Sequence, residues 1–167
     1  MRHPTRLTAA AAALLSLLFA SPAAALPDGP VRPYLEHQRD VLVLGTPALG
    51  TLTDGFGTRW GRLHAGIDIG ILLDLKVFAA APGVVTATGY LAGYEGYGNV
   101  VIVDLGGGRE NLYAHLSRVD VHPGQVVGGD QLLGLAGCTG SCTGTHLHFE
   151  LRVDGKPVDP LPLMHLP

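Results

Sequence analysis

The sequence lacks the features that mark several large classes of protein. It has no long run of Lys or Arg and a formal net charge of -3, so it lacks the electrostatic signature of a nucleic-acid-binding protein, and no nucleic acid is expected as a partner. Charged residues make up only 15% of the chain against 47% hydrophobic residues, which excludes a disordered chain and favours a packed core. No repeat is regular enough for a solenoid.

Cysteine is also scarce, with Cys138 and Cys142 as the only two in the chain. They form the only pair available for a disulfide, provided that the compartment is oxidising. A second metal site with thiolate ligands is the alternative.

The first 25 residues resemble a targeting segment. Arg2 and Arg6 precede an apolar run over residues 7–20, and the alanines at 23–25 offer a cleavage site. A membrane anchor is the alternative, but the run is shorter than the ~20 residues that a spanning helix needs. No cysteine follows the cleavage site to indicate lipid attachment. We therefore predict a signal peptide at 1–25, a proline-containing arm at 26–45 and one domain at 46–167, with no membrane span after processing and a secreted, cell-wall or periplasmic location.

The part of the chain after residue 50 alternates short β-rich runs with glycine-containing turns, and it shows no convincing amphipathic helix. Strands at this spacing favour an all-β, antiparallel fold. The predicted strands cover residues 67–71, 76–80, 84–90, 99–104, 111–116, 131–135 and 146–153.

The last of these runs carries an H-x-H motif. Leu147, Phe149 and Leu151 alternate with His146 and His148, so both imidazoles are expected on the face opposite the core. Two residues along a strand span roughly 6–7 Å, which suits one metal ligand and one neighbour close to a bound water. A solvated strand face that happens to hold two histidines is the alternative.

Two further motifs contribute candidate residues. In a straight strand His64 and Asp68 would lie ~13 Å apart, so sharing an ion requires a bend. Gly66 is the candidate for this bend, because glycine tolerates the backbone angles that a sharp turn needs. An unrelated surface pair is the alternative. His115 follows Tyr113 at strand spacing, which places the two on one predicted strand face. A lone histidine at a strand end is more often structural than catalytic.

Together these motifs provide histidines from three predicted segments and one aspartate, without an H-E-x-x-H helix. Two neutral imidazoles and a carboxylate leave a fourth zinc position for water, whose pKa zinc lowers to ~7. With no glutamate beside the metal in such a set, a non-ligand imidazole is the natural acid or base.

Several blocks of the chain resemble the lysostaphin and LytM type of zinc peptidoglycan endopeptidases. The resemblance runs from about residue 50 to 160, in matching order and spacing. Its blocks are L-T-D-G-F-G-T-R at 52–59, H-A-G-I-D-I at 64–69, A-A-A-P-G-V-V at 79–85, G-Y-G-N at 96–99, L-Y-A-H-L at 112–116 and T-G-T-H-L-H-F-E at 143–150.

The resemblance implies a two-sheet antiparallel β core with a groove that holds Zn²⁺. It assigns His64, Asp68 and His148 as metal ligands, and it places His115 and His146 beside the attacking water and the developing oxyanion. The expected protein is a monomeric zinc metalloendopeptidase that cuts peptidoglycan peptides. A non-hydrolytic wall-binding or hydrolase-activating module on the same scaffold is the first alternative. A carrier of the biotinyl or phosphocarrier type is the second, disfavoured because the chain lacks a lysine in a Met-Lys turn.

The chain also departs from the family pattern. The segment 72–76 lacks the usual Pro-x-Gly-Thr-Pro turn, Leu105 replaces a common histidine, and Cys138 and Cys142 lie where small polar residues are more usual. These differences fall in loops that are expected to shape substrate binding.

Overall fold

The computed structural model describes residues 42–164, so the predicted signal peptide and most of the predicted arm lie outside the described residues. Within this range the chain forms thirteen strands and two short 3-10 helices, neither of them long or apolar enough to cross a bilayer. The strands, β1 to β13, are Thr51–Asp54, Gly57–Arg59, Arg62–His64, Ile67–Gly70, Lys76–Phe78, Gly83–Tyr90, Asn99–Gly106, Arg109–Ala114, Arg118–Val119, Val126–Val127, Leu132–Leu135, Leu147–Val153 and Lys156–Val158; the 3-10 helices are Glu95–Tyr97 and Leu161–Leu163.

The strands pair antiparallel throughout. The large sheet has the order β1-β4-β12-β8-β7-β6-β10, and β13 pairs with the outer part of β12. A smaller sheet has the order β5-β11-β9, while β2 and β3 form a separate hairpin. The predicted all-β, antiparallel fold is therefore confirmed, and the β2–β3 hairpin adds a unit that the sequence did not predict.

The main core lies between the large sheet and the smaller one. Leu147, Phe149 and Leu151, on one face of β12, are fully buried and pack in the same cluster as Val77 of β5 and Leu133 of β11. The alternation expected for this strand is therefore present. By the same alternation, the even-numbered residues of β12 point to the opposite face of the sheet.

That opposite face is also partly covered. Ile102, Leu112 and Ala114 form part of a second buried cluster, against which Tyr94 and Tyr97 pack. His148 is only 6% exposed and Glu150 is fully buried. The polar face of β12 is thus the enclosed floor of a site and not a solvated surface.

The packed unit includes the end of the segment predicted as an arm. Leu44 is fully buried in the main core. It forms an isolated bridge with Met164, and its N–H donates to the Leu163 carbonyl. The two ends of the described chain are therefore held together.

Candidate metal centre

Strand register brings Asp68 and His148 together. The two residues are direct partners across the antiparallel β4–β12 pair, so their side chains share one face of the sheet. Nδ1 of His148 lies 2.8 Å from Oδ1 of Asp68. Eighty residues of sequence separate the two groups, and only the sheet pairing makes them neighbours.

His64 reaches the same point from the β2–β3 hairpin. It ends β3, and Ala65 and Gly66 turn the chain into β4, so the predicted bend between His64 and Asp68 is present. The reason for glycine differs from the one expected, because the φ of Gly66 is not left-handed. A Cβ at position 66 would lie 2.2 Å from the carbonyl oxygen of Phe149. Close backbone approach to β12 therefore requires glycine here.

Three donor atoms converge at this point. Nε2 of His64 lies 3.1 Å from Nδ1 of His148 and 3.2 Å from Oδ1 of Asp68. Ligands of a tetrahedral zinc with bonds of 2.0–2.2 Å are separated by ~3.3–3.6 Å, so these spacings are close to those of a metal-binding cluster. The structure thus brings together the three residues that the sequence proposed as ligands.

In His64 and His148, the ring nitrogen that faces away from the cluster determines where the proton of the neutral ring lies. Nδ1 of His64 lies 2.7 Å from the Gly55 carbonyl oxygen, which can only accept a hydrogen bond. Nε2 of His148 lies 3.0 Å from the Glu150 carboxylate, another acceptor. In the neutral imidazoles the protons therefore lie on these outer nitrogens. Two imidazole lone pairs and a carboxylate oxygen then face one another, an arrangement that a cation stabilises and that fits Zn²⁺.

The electrostatics of the cluster also favour a bound cation. Burial disfavours the ionised carboxyl of Asp68, but it is outweighed by a protonated His148, which donates from Nδ1 as well as from Nε2, and by the positive charge of the other imidazoles, so the pKa of Asp68 is lowered. Burial also disfavours a charged His148, but the carboxylates of Asp68 and Glu150 outweigh it and raise the pKa of His148. The cluster is therefore built to hold positive charge.

A buried network supports His148 from behind. Glu150 accepts from His148, from the Tyr97 hydroxyl at 2.7 Å and from Nε of Arg152 at 2.6 Å. Burial and the hydrogen bond to Glu150 raise the pKa of Tyr97 to about 12, so its hydroxyl remains a donor. Arg152 also donates to the hydroxyl of Tyr94. Such a carboxylate behind a ligating histidine fixes its tautomer and orientation.

His115 enters the site from the end of β8. It follows the last residue of that strand and has a φ of 61°, so the strand alternation stops before it. The prediction that His115 shares a face with Tyr113 is therefore wrong. Tyr113 is buried in the main core, where its hydroxyl accepts from the Ala80 N–H, whereas the His115 ring lies 4.7 Å from that of His146.

His115 and His146 are both oriented by backbone carbonyls. Nδ1 of His115 lies 2.8 Å from the Thr139 oxygen, and Nδ1 of His146 lies 2.7 Å from the Gly144 oxygen. Each neutral ring therefore presents a lone pair at Nε2. Burial is the main cause that lowers the pKa of His115, which favours its neutral form. Nε2 of His146 lies 3.8 Å from Oδ1 of Asp68, beside the cluster but outside the group of three convergent donors.

All five residues border one open groove of about 680 Å³. The β2–β3 hairpin contributes part of the groove wall, and residues 96–97 and 141–143 also line the groove. His122 is not among the lining residues, and its Nδ1 instead lies 3.1 Å from the carbonyl of Pro123. His3, His37 and His165 lie outside the described residues.

The loop between β11 and β12 is closed by the Cys138–Cys142 disulfide, as the sequence predicted. It packs on the segment around Tyr97, where Ser141 N–H donates to the Gly96 carbonyl. Gly98 has a φ of 67°, and a Cβ there would lie 2.4 Å from the backbone carbon of Thr139. The cross-link thus closes the loop whose Thr139 carbonyl orients His115.

We expect a Cys138→Ser, Cys142→Ser double variant to be less stable and less active. Closing so short a loop stabilises the folded state by ~2 kcal/mol, which corresponds to a melting temperature lower by about 5–10 °C without the bond. Hydrolysis should fall as well, because the Thr139 carbonyl would hold the His115 ring less firmly. Calorimetry and initial rates, with reduced wild-type protein as the control, test both effects. An unchanged melting temperature and rate would contradict this role.

Comparison with known proteins shows the family of this chain. The family model described as "Peptidase family M23" matches residues 62–160, more than half of the chain. The chain belongs to peptidase family M23. The matched stretch contains all five candidate site residues, and the resemblance seen in the sequence is confirmed.

Individual relatives agree with the family. The DD-carboxypeptidase/endopeptidase Mpg of Neisseria meningitidis serogroup B is 45% identical over 100 residues, 60% of this M23 chain and 22% of Mpg. Lysostaphin of Staphylococcus staphylolyticus is 30% identical over 108 residues, 62% of this chain and 22% of lysostaphin. A crystal structure titled as a zinc-containing peptidase from Vibrio cholerae has a TM-score of 0.60 at 31% identity, covering 70% of this chain and 37% of that one. The chain spans about a fifth of the length of Mpg and of lysostaphin.

Sequence reasoning missed the residues behind the cluster. Glu150, Arg152 and Tyr97 form the hydrogen-bond network behind His148, and the sequence motifs predict no functional role for them. The sequence does contain a signal for this network. His148, Glu150 and Arg152 lie two residues apart along one predicted strand and therefore share one of its faces. A carboxylate and a guanidinium on the same enclosed face as a candidate ligand indicate a supporting network.

Proposed function

We propose that this M23 chain is an exported zinc metalloendopeptidase that hydrolyses peptide bonds in the stem or cross-bridge of bacterial peptidoglycan. The observation that carries the proposal is the convergence of the lone pairs of His64, Asp68 and His148 on the floor of an open groove. The relatives add support, since Mpg is named as a DD-carboxypeptidase/endopeptidase and the Vibrio cholerae neighbour is titled as a zinc-containing peptidase.

In this proposal His64, Asp68 and His148 hold the zinc. A bound zinc ion supplies Lewis acidity to the attacking water and to the carbonyl of the scissile peptide bond. Asp68 contributes the negative charge of the ligand set, and Glu150 keeps the proton of His148 on Nε2, away from the metal.

His115 and His146 manage protons in the groove. Each ring donates Nδ1–H to a backbone carbonyl and presents Nε2 to the substrate side. At that atom a ring can take a proton from the attacking water and return it to the nitrogen of the leaving amine. In its protonated form the same ring also stabilises the negative oxygen that develops at the carbonyl.

The location follows from the substrate. Peptidoglycan lies outside the cytoplasmic membrane, so the enzyme has to be exported. The proposed signal peptide at residues 1–25 would serve this purpose.

Digestion of purified muropeptides of known cross-link type tests the proposed activity. We expect mass spectrometry to show products of peptide-bond cleavage, no glycan cleavage, and loss of activity on chelation with recovery on adding zinc. Binding to peptidoglycan without any new products would favour the non-hydrolytic module. Full hydrolysis by metal-free protein would contradict the zinc mechanism.

A further inference from the structure

The β2–β3 hairpin brings two arginines to the wall of the groove. Arg59 and Arg62 are direct partners in its register, on either side of the turn at Trp60 and Gly61. Both turn residues have positive φ, 48° and 75°, as tight two-residue hairpin turns require. Direct partners share a face of the hairpin, so the two guanidinium groups emerge on the same side.

This arrangement is unfavourable for the hairpin itself. Like charges directly opposite each other destabilise a strand pair. Arg59 is compensated, since it forms an ion pair with Asp54 and has Nη2 3.8 Å from Oδ2 of Asp68. For Arg62, no ion pair or side-chain hydrogen bond occurs within residues 42–164. Its exposed guanidinium is thus available to an anion from outside.

Trp60, at the tip of the hairpin, makes a cation–π contact with the Arg59 guanidinium, which lies 5.7 Å from the ring centroid, and at so exposed a site this contact contributes only ~0.5–1 kcal/mol. The Trp60 side chain is 92% exposed, and a positive φ is costly for so bulky a residue. Both Trp60 and Arg62 border the groove that contains the metal cluster. The turn therefore presents a large aromatic surface beside an unpaired cation, at the cost of backbone strain.

Arg62 lies close to the proposed position of the scissile peptide bond. Arg62 and His64 lie two residues apart on β3, on one strand face and roughly 6–7 Å apart along the chain. A group bound at Arg62 would therefore lie about one residue away from a peptide bond held at the metal cluster.

We propose that Arg62 is a specificity-determining residue that binds a free carboxylate of the substrate beside the scissile peptide bond. This proposal rests on the proposed function, and it selects one class of cross-link. A direct cross-link to a diamino acid of the diaminopimelate type keeps a carboxylate on the carbon that bears the acylated nitrogen, whereas a glycine bridge has none there. The planar guanidinium binds such a carboxylate through two parallel hydrogen bonds.

The test compares two directly cross-linked muropeptide dimers that differ only in this carboxylate, free in one and amidated in the other. We expect the wild-type protein to prefer the carboxylate form. Arg62→Gln should lower kcat/KM for that form about 10- to 100-fold and leave the amidated form nearly unchanged. For the carboxylate form, the kcat/KM of Arg62→Lys should lie between those of the wild type and of Arg62→Gln. Lysine keeps the positive charge but loses the planar guanidinium that makes two parallel hydrogen bonds. Arg118→Gln is the matched control, since Arg118 pairs with Asp120 outside the groove.

Binding is followed separately through the fluorescence of Trp60, the only tryptophan of the chain. The His146→Ala background keeps the dimers intact during the titration. One outcome is that the carboxylate dimer binds more tightly than the amidated dimer, that this difference depends on Arg62, and that wild-type protein cleaves neither. This outcome would support the Arg62 site and contradict the proposed function. Cleavage of both dimers with a ratio that Arg62→Gln does not change would overturn the Arg62 site and leave the function intact.

Discussion

Replacing His148 with alanine is expected to abolish zinc binding and hydrolysis together. His148 provides one of three convergent donors, and two protein ligands do not make a zinc site of the usual kind. His115→Ala and His146→Ala should behave differently, because their Nε2 atoms lie outside that group. Their zinc content should stay near that of the wild type, while hydrolysis falls by the ~10²–10⁴-fold typical of a positioned acid or base. Metal analysis and initial rates on the same preparations give both quantities.

Each of the three histidine variants serves as a control for the other two. All remove an imidazole from the same groove, so a nonspecific loss of structure would affect them alike. Zinc loss in His146→Ala with retention in His148→Ala would reverse the assignment within the H-x-H motif. Zinc loss in all three would mean that the metal is held by a different set of residues.

Glu150→Gln is expected to weaken zinc binding about 10- to 100-fold, although Glu150 does not itself belong to the cluster. The carboxylate holds the proton of His148 on Nε2 and increases the basicity of Nδ1. An amide keeps the shape of the side chain but removes the charge, and it cannot accept all three hydrogen bonds that Glu150 receives. Competition with a chelator of known affinity measures the effect on zinc.

Glu110→Gln is the matched control for this experiment. Glu110 also contacts Arg152, with Oε1 3.4 Å from Nη1, but it makes no contact with His148. Glu150→Ala should in addition destabilise the fold by ~3–5 kcal/mol, since it leaves Arg152 and Tyr97 without their buried partner. Equal zinc affinities for Glu150→Gln and Glu110→Gln would contradict the role of the carboxylate.

Local patterns predicted much of the fold. The alternation over residues 146–153 identified the core face of β12, and seven predicted strands correspond to observed ones within a few residues. The strands that were missed are short. The β2–β3 hairpin has three residues on each side and turns at a tryptophan with positive φ, where sequence patterns favour glycine or asparagine.

The candidate site depends more on nonlocal pairing. The neighbourhood of Asp68 and His148 results from strand register, which the sequence of neither strand specifies alone. The motifs and the family resemblance nevertheless propose both residues as metal ligands. The predicted strand face of His115 was wrong because its backbone lies in the left-handed region and ends the strand alternation. The role of Gly66 differs from the predicted one because the carbonyl of Phe149 comes close to it only in the folded sheet.

Anomalous X-ray scattering at the zinc edge, from crystals of the purified protein, tests the central claim most directly. We predict a single peak within ~2.0–2.2 Å of Nε2 of His64, an oxygen of Asp68 and Nδ1 of His148. A peak bound through His115 or His146 in place of any of these three, or no peak in protein that hydrolyses peptidoglycan, would contradict the account.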